Sequence, residues 1–311
     1  MVRLVKVTVI GAGGVGGYFG GKLAHAGLDV AFLTRGEQLR VIRERGLRVR
    51  SVHGDFDVGA EATQDPAAIR AADYVVVAVK SYNTEQVASL LPALTGPETA
   101  VISLQNGVDN EEKLAAVVGP DRLVGGAAYI FATISEPGLI EHTGGPASLV
   151  VGEWVGGQSP RVGAFVEACR SAGITADESD NIRSVLWSKF AFICAQAGVT
   201  SAVRLPIGDI LASLAGRRLF QAVVAEVCAV AAREGIVLPD DLPDKTLGFA
   251  DGLDPGAFSS LHHDLVHGHR MELDALLGEV VRRGELAGVA VPTSQALYGV
   301  LQPWALKALS D

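Results

Sequence analysis

The residues best suited to chemistry appear near the start of the chain. Gly11, Gly13 and Gly16 fall in GAGGVG and satisfy G-x-G-x-x-G directly after the apolar run at residues 5–10. Each glycine has a separate purpose in such a loop. The first permits a tight turn, the second lets backbone N–H groups approach a pyrophosphate, and the third lets a helix pack closely on a strand. A helix beginning near residue 15 adds partial positive charge where the anion sits. Gly11, Ala12, Gly13, Gly14, Val15 and Gly16 are therefore the expected dinucleotide cradle, with a plain flexible turn as the alternative. The second strand, residues 30–33, runs into Thr34-Arg35 where an Asp or Glu would hold the ribose hydroxyls of NAD. A guanidinium there suits a 2′-phosphate and favours NADP(H). Glu37 stands nearby, and a solvated Arg35 is the competing reading.

Seven lysines against nineteen arginines make each lysine in an apolar setting conspicuous. Lys80 ends the strand predicted at residues 74–79, and Asn106-Gly107 follows the strand at residues 100–104. Both lie at carboxyl edges, where open α/β sheets bind ligands. The Asn106 amide can bond a cofactor and a substrate, although Asn-Gly by itself is only a turn. Lys189 lies in the apolar helix WSKFAFICAQAGV, with Ile193 and Ala197 at its i+4 and i+8 positions. Apolar surroundings disfavour an ammonium and suit a proton donor, whereas a lysine snorkelling from an amphipathic helix needs no such role. Ser260, Asp264 and Glu272 recur at steps of four and eight on a helix expected over residues 259–288, so they share a rough face. A solvated surface accounts for that pattern equally well. His263-Asp264-Leu265-Val266-His267 imitates the H-E-x-x-H zinc helix, but its acid is one methylene short and a third ligand is not evident. The sequence therefore predicts no metal site. The G-x-S-x-G elbow of a serine hydrolase is absent.

These residues need a scaffold, and the hydrophobic rhythm supplies one. Apolar runs at residues 5–10, 30–33, 74–79, 100–104 and 123–127 alternate with helix-like stretches, the pattern of parallel strands covered on both faces. Two further pieces, residues 139–142 and 149–152, flank an expected turn at residues 143–146 and suggest an antiparallel addition. Beyond that the pattern becomes helical, at residues 182–203, 207–234, 259–288 and 294–309, with a loop at residues 238–256. The predicted fold is α/β: a Rossmann-type, NADP(H)-binding parallel-sheet domain over residues 1–176, then a mostly α-helical substrate and catalytic domain over residues 177–311. A chain of 311 residues fits two domains, and 49% hydrophobic residues are enough for two cores. A net charge of −9 argues against nucleic-acid or anionic-membrane partners. Cys169, Cys194 and Cys228 have no CxxC spacing, which fits a reducing, cytoplasmic setting. The basic and apolar start runs straight into a glycine turn, unlike an export signal.

Taken in order, GAGGVGGYFG from residue 11, FLTR ending at Arg35, VAVKSYNT around Lys80, SLQNGVDNEE around Asn106, LWSKF around Lys189 and SSLHHDLVHGHRMELDALLGEVVRRGELAGVAVP from Ser259 to Pro292 form one pattern. Over essentially its whole length the chain resembles the ketopantoate reductase (2-dehydropantoate 2-reductase) family of the 6-phosphogluconate dehydrogenase-like superfamily. The resemblance implies that the glycine loop and Arg35 hold NADPH, and that Lys80 and Asn106 line the cofactor and substrate sites. It further implies Lys189 as general acid, Ser260 as a partner of the substrate carboxylate, and Glu272 engaging the substrate and orienting the centre. The implied reaction is NADPH-dependent reduction of 2-dehydropantoate, a 2-oxo acid, to (R)-pantoate in pantothenate biosynthesis. Pantoate-pathway members commonly carry Asn where Ile193 and Ala197 stand, and losing those amides favours a less polar 2-oxo acid or ketone. A non-catalytic NADP(H)-binding sensor is a third reading, although it would need neither Lys189 nor Glu272. Apolar helical positions could support a homodimer.

Overall fold

Uninterrupted apolar strands such as Tyr74–Val77 can bury both faces only in the middle of a sheet flanked by other layers. In a computed structural model describing residues 5–309, that strand lies centrally in a ten-stranded sheet. The strands are β1 (Lys6–Ile10), β2 (Asp29–Leu33), β3 (Leu47–Ser51), β4 (Phe56–Val58), β5 (Glu61–Thr63), β6 (Tyr74–Val77), β7 (Ala100–Ser103), β8 (Leu123–Glu136), β9 (Leu139–Glu153) and β10 (Thr175–Glu178). Their order is β4-β3-β9-β8-β7-β6-β1-β2-β5, with β10 beside β9. From the centre, β1-β2-β5 progresses one way and β6-β7-β8 the other, all in parallel pairs. The winding therefore reverses between β1 and β6, and the carboxyl ends at such a reversal are where open α/β sheets take ligands. Helices α1 (Gly14–His25), α2 (Gly36–Arg45), α3 (Thr84–Ala88), α4 (Leu91–Leu94), α5 (Asn110–Val118) and α6 (Pro160–Ser171) complete this part.

Two compact units result: Met1–Gln105 with Asn110–Arg183 carries the sheet, while Asn106–Asp109 with Ser184–Asp311 is helical. The first unit ends at Arg183, beyond residue 176, because β10 pairs with β9 and the chain leaves the sheet only after Glu178. The expected turn at residues 143–146 does not occur. Residues 139–153 form the single strand β9, antiparallel to β8 with register shifts, and the reversal lies at Pro137-Gly138, where Gly138 adopts φ +76°. The Gly-Gly pair at residues 144–145 is an irregularity within a strand and not a hairpin tip.

The helical unit contains α7 (Ile182–Val203, from Ser184 onward), α8 (Ile207–Ala212), α9 (Leu214–Arg233), α10 (Leu242–Asp251), α11 (Ser260–Val266), α12 (Glu279–Ala287) and α13 (Pro292–Lys307). Its core gathers Phe190, Cys194, Phe220, Val223, Val227 and Leu277. The bounds of α7 coincide with those predicted, but three other expectations need correction. The helix expected over residues 207–234 breaks at Ser213, whose hydroxyl caps α9. The expected loop at residues 238–256 contains α10. The stretch at residues 259–288 is not one helix. It stops at Val266, turns at Gly268 with φ +68°, and resumes as a π-helical segment, Asp274–Gly278. Among the described residues, no helix is long and apolar enough to cross a membrane.

Candidate active site

In the sheet unit, the glycine positions have three distinct environments. Gly11 follows β1 with φ +98°, and a Cβ there would meet Val79 Cγ1 at 2.8 Å and Ala78 O at 3.0 Å. Only glycine meets both demands. At Gly13 a Cβ would find nothing within 4 Å, so the space above the loop is open. Gly13 is also the N-cap of α1 and offers no side-chain bond to the first-turn N–H groups, which leaves them and the positive helix end available to an anion. At Gly16 a Cβ would lie 2.0 Å from Gly11 O and 2.9 Å from Ala78 Cβ, so helix and strand can touch. Gln38 on α2 anchors the loop: its Nε2 donates to Ala12 O at 2.6 Å, and its Oε1 accepts from Gly138 N at 2.8 Å. Arg35 occupies the N-cap position of α2 without a side-chain capping bond, and its side chain is exposed. Glu37 accepts a 2.9 Å hydrogen bond from Arg40, which holds its carboxyl below the ordinary carboxylate value.

Lys80 is half-buried and opens the 3₁₀ turn Ser81–Asn83 after β6. The Gly11–Val79 contact places this segment against the glycine loop, at the reversal between β1 and β6. Gln105, buried at the end of β7, clamps it by donating Nε2 to Val79 O at 3.1 Å and to Thr84 Oγ1 at 2.7 Å. The buried Thr84 hydroxyl lies 2.8 Å from both Ser81 O and Asn110 Oδ1, and its one proton serves one of them at a time. Gln38, Thr84 and Gln105 were missed in the sequence because each has a partner at least 21 positions away, which leaves no local spacing signal. A depression of about 340 Å³ at the amino ends of β1, β2 and β5 is lined by Lys6, Asp29, Glu61 and Arg70 and contains no candidate residue.

In the helical unit, Lys189 is half-buried and donates Nζ to Asn106 Oδ1 at 2.9 Å. The bond joins two candidates 83 positions apart in the sequence. Ile193 is half-buried and Ala197 fully buried on α7. Of the two serines at the start of α11, Ser259 is committed to structure: its Oγ accepts from His262 N at 3.1 Å and lies 2.9 Å from Thr200 Oγ1. Ser260 is exposed. Glu272 is buried in the non-helical stretch after Gly268, so it does not share a helix face with Ser260 and Asp264. The break at Gly268 is the physical reason. Ser260 and Asp264 remain one turn apart on α11, Ser260 exposed and Asp264 buried.

Near Lys189 in sequence, Trp187 faces a half-buried ion cluster that the sequence does not announce, with Glu279 and Arg283 as its buried members. Arg283 bonds Glu279 at 2.5 Å and Glu234 at 2.5 Å, Arg282 also bonds Glu279, and the Arg283 guanidinium sits 5.7 Å from the Trp187 ring centroid. Burial pushes the Glu279 carboxyl up, but hydrogen bonds from Arg282 and Arg283 outweigh it and hold the group below its ordinary value. A Glu-x-x-Arg-Arg run reads as a solvated helix face, which hides a cluster of this kind.

Residues 7–156 match the family model described as ketopantoate reductase PanE/ApbA, and residues 181–305 match that of its C-terminal part. The chain belongs to the ketopantoate reductase family. An uncharacterized oxidoreductase of Bacillus subtilis (strain 168), YkpB, is 31% identical over 96% of this chain and 98% of its own length. A 2-dehydropantoate 2-reductase of Caulobacter vibrioides is 31% identical over 97% of this chain and 100% of its own. The crystal structure of a PanE/ApbA family ketopantoate reductase from Ralstonia eutropha JMP134 is similar at a TM-score of 0.90 and 31% identity, covering 98% of this chain and 100% of that one. The α/β architecture with a Rossmann-type sheet and a helical C-terminal part is therefore that of the family, and the chain is an oxidoreductase of the ketopantoate reductase type.

Proposed function

We propose that the protein reduces 2-dehydropantoate to (R)-pantoate with NADPH, a step of pantothenate biosynthesis, with Lys189 as general acid. The observation that carries this reading is the 2.9 Å bond between Lys189 Nζ and Asn106 Oδ1, which pairs the ammonium with an amide oxygen able to orient it. The glycine loop fits a dinucleotide: open space lies at Gly13 above the uncapped N-terminus of α1. Exposed Arg35, with Glu37 engaged by Arg40, supports a 2′-phosphate and hence NADPH over NADH. When bound, that cofactor supplies a hydride to the carbonyl carbon. Lys189 then protonates the oxygen on which negative charge develops, leaving an alcohol. Asn106 orients Lys189 and, with Lys80, contacts cofactor and substrate. Ser260 binds the substrate carboxylate, and Glu272 engages the substrate and orients the centre.

Ile193 and Ala197 on the same helix as Lys189 favour a second reading, in which a less polar 2-oxo acid is the better substrate. Steady-state NADPH oxidation with ketopantoate beside a panel of 2-oxo acids separates the two. The highest kcat/KM on ketopantoate supports the first, and preference for a less polar 2-oxo acid replaces it with the second. Lys189→Ala should lower kcat by about 10² to 10⁴-fold on the best substrate. Near-normal turnover in that variant would remove Lys189 from its role.

A further inference from the structure

Four of the seven histidines fall within residues 262–269, and the fold gathers three of them around one buried acid. His263 and Asp264 lie on α11. The turn at Gly268 then folds the chain back, with His269 N donating to Asp264 O at 2.8 Å. His269 Nδ1 comes to 3.9 Å from Asp264 Oδ1. One ligand atom from each of His263, Asp264 and His269 lies within 4.8 Å of the other two. His269 is the third ligand that the spacing of His263 and His267 does not reveal, because it arrives through the turn.

We propose that His263, Asp264 and His269 form a binding site for a divalent transition-metal ion such as Zn²⁺. Bonds of about 2.0–2.2 Å in a tetrahedral site place ligand atoms about 3.4 Å apart. Closing from 4.8 Å requires modest rotation of two exposed imidazoles towards Asp264, whose burial makes it the fixed member. Two imidazoles and a carboxylate suit Zn²⁺, Ni²⁺ or Co²⁺ rather than Mg²⁺ or Ca²⁺, which take all-oxygen sets. With His263 and His269 exposed, the fourth position is open to water. His267 reinforces the site from the side: its ring centroid is 4.1 Å from that of His263 and 5.8 Å from that of His269. Its Nδ1 is 2.8 Å from His263 O, and because a carbonyl can only accept, Nδ1 carries the proton and Nε2 the lone pair of the neutral ring. His262 takes no part, being stacked on Phe258 with centroids 4.2 Å apart. None of the three ligands belongs to the proposed catalytic set. An ion bound here would tie the end of α11 to the segment that leads to Glu272.

The test uses the full-length protein without an affinity tag, stripped with a chelator and titrated with ZnCl₂ against a chromophoric competitor. One ion per chain is expected. Binding should weaken at least tenfold in His263→Ala and in His269→Ala, with circular dichroism confirming that both exposed-site variants fold. His53→Ala, a histidine of the sheet unit, should bind as the parent does. Substituting Co²⁺ should give visible d–d absorption of a four- or five-coordinate ion, lost in His269→Ala. The absence of saturable binding, or equal affinity in the parent and both site variants, would overturn the proposal. Neither readout depends on turnover, so the outcome is independent of the substrate assignment.

Discussion

If Asn106 acts by aiming Lys189, the two residues should behave as a unit in kinetics. The bond to be broken is a charge-assisted one at 2.9 Å between a half-buried ammonium and an amide oxygen. Hydrogen bonds to charged groups are worth about 1.5–3 kcal/mol. If that energy is expressed in the transition state, Asn106→Ala should lower kcat by roughly 10- to 150-fold, at 1.36 kcal/mol per factor of ten. Lys189→Ala should cost about 10² to 10⁴-fold. The informative variant is the double one. With Lys189 gone there is nothing for Asn106 to aim, so Asn106→Ala in the Lys189→Ala background should change kcat by no more than about threefold, as residues acting as a unit are strongly non-additive. The assay is NADPH oxidation at saturating cofactor and substrate, so that contacts of Asn106 used only in binding appear in KM. Losses in kcat that multiply across the double variant would show that the bond between the two side chains is not how Asn106 contributes, and a silent Asn106→Ala would refute the orienting role outright.

Arg35→Ala should weaken NADPH at least tenfold and leave NADH nearly unchanged, read by quenching of protein fluorescence; equal weakening of both would withdraw the 2′-phosphate assignment. Arg283→Met leaves Glu279 buried with only Arg282, and breaking a buried pair typically costs about 3–5 kcal/mol. Because Arg282 remains and Glu234 is partly exposed, about 3 kcal/mol is expected from urea unfolding at pH 7. Glu279's folded pKa is depressed, so the stability it contributes is present above its unfolded value of 4.5 and is lost as pH falls through the folded value. The deficit of Arg283→Met should therefore shrink below pH 4.5, and a deficit that does not change with pH would contradict the pairing. Burial pushes the Cys169 thiol up to about 12 and also raises Cys194 and Cys228. A thiolate-selective disulfide reagent at pH 8 should therefore label the native protein slowly and the unfolded protein rapidly at three sites; rapid native labelling would show that a thiol is open to solvent.

What the sequence disclosed follows from how local each signal is. The glycine loop was legible because its three requirements lie within six residues; a Cβ would clash at Gly11 and Gly16 and meet open space at Gly13. Helix α7 was legible because apolar periodicity over residues 182–203 is long and uninterrupted. Strands β3, β4 and β5 were not, since LRVRS, FDV and EAT are short and polar and become strands only by pairing with neighbours. The helix expected over residues 259–288 failed because apolar spacing continued across Gly268, while the backbone there adopts a conformation that ends a helix. Within the candidate site, Lys189 and Asn106 were individually conspicuous, but nothing local announced that they touch. The clamps at Gln38, Thr84 and Gln105 were illegible for the same reason.

Helix α1 contains five glycines in twelve residues, each about 1 kcal/mol poorer than alanine in a helix. As a free segment it would not hold together, and its stability comes from what it touches. A Cβ at Gly14 would lie 2.0 Å from Ala132 O, and one at Gly17 would lie 2.8 Å from Ile140, so β8 and β9 complete its setting. Those partners follow more than a hundred positions later, since 132 minus 14 is 118. Gly20 packs on Val9 and Phe32 and Gly21 on Leu47 and Phe56, so the early strands seat one side of α1, while the side at Gly14 and Gly17 is completed only by the hairpin of β8 and β9. A cradle read from six consecutive residues thus owes its full setting to partners at both ends of the sheet unit's sequence.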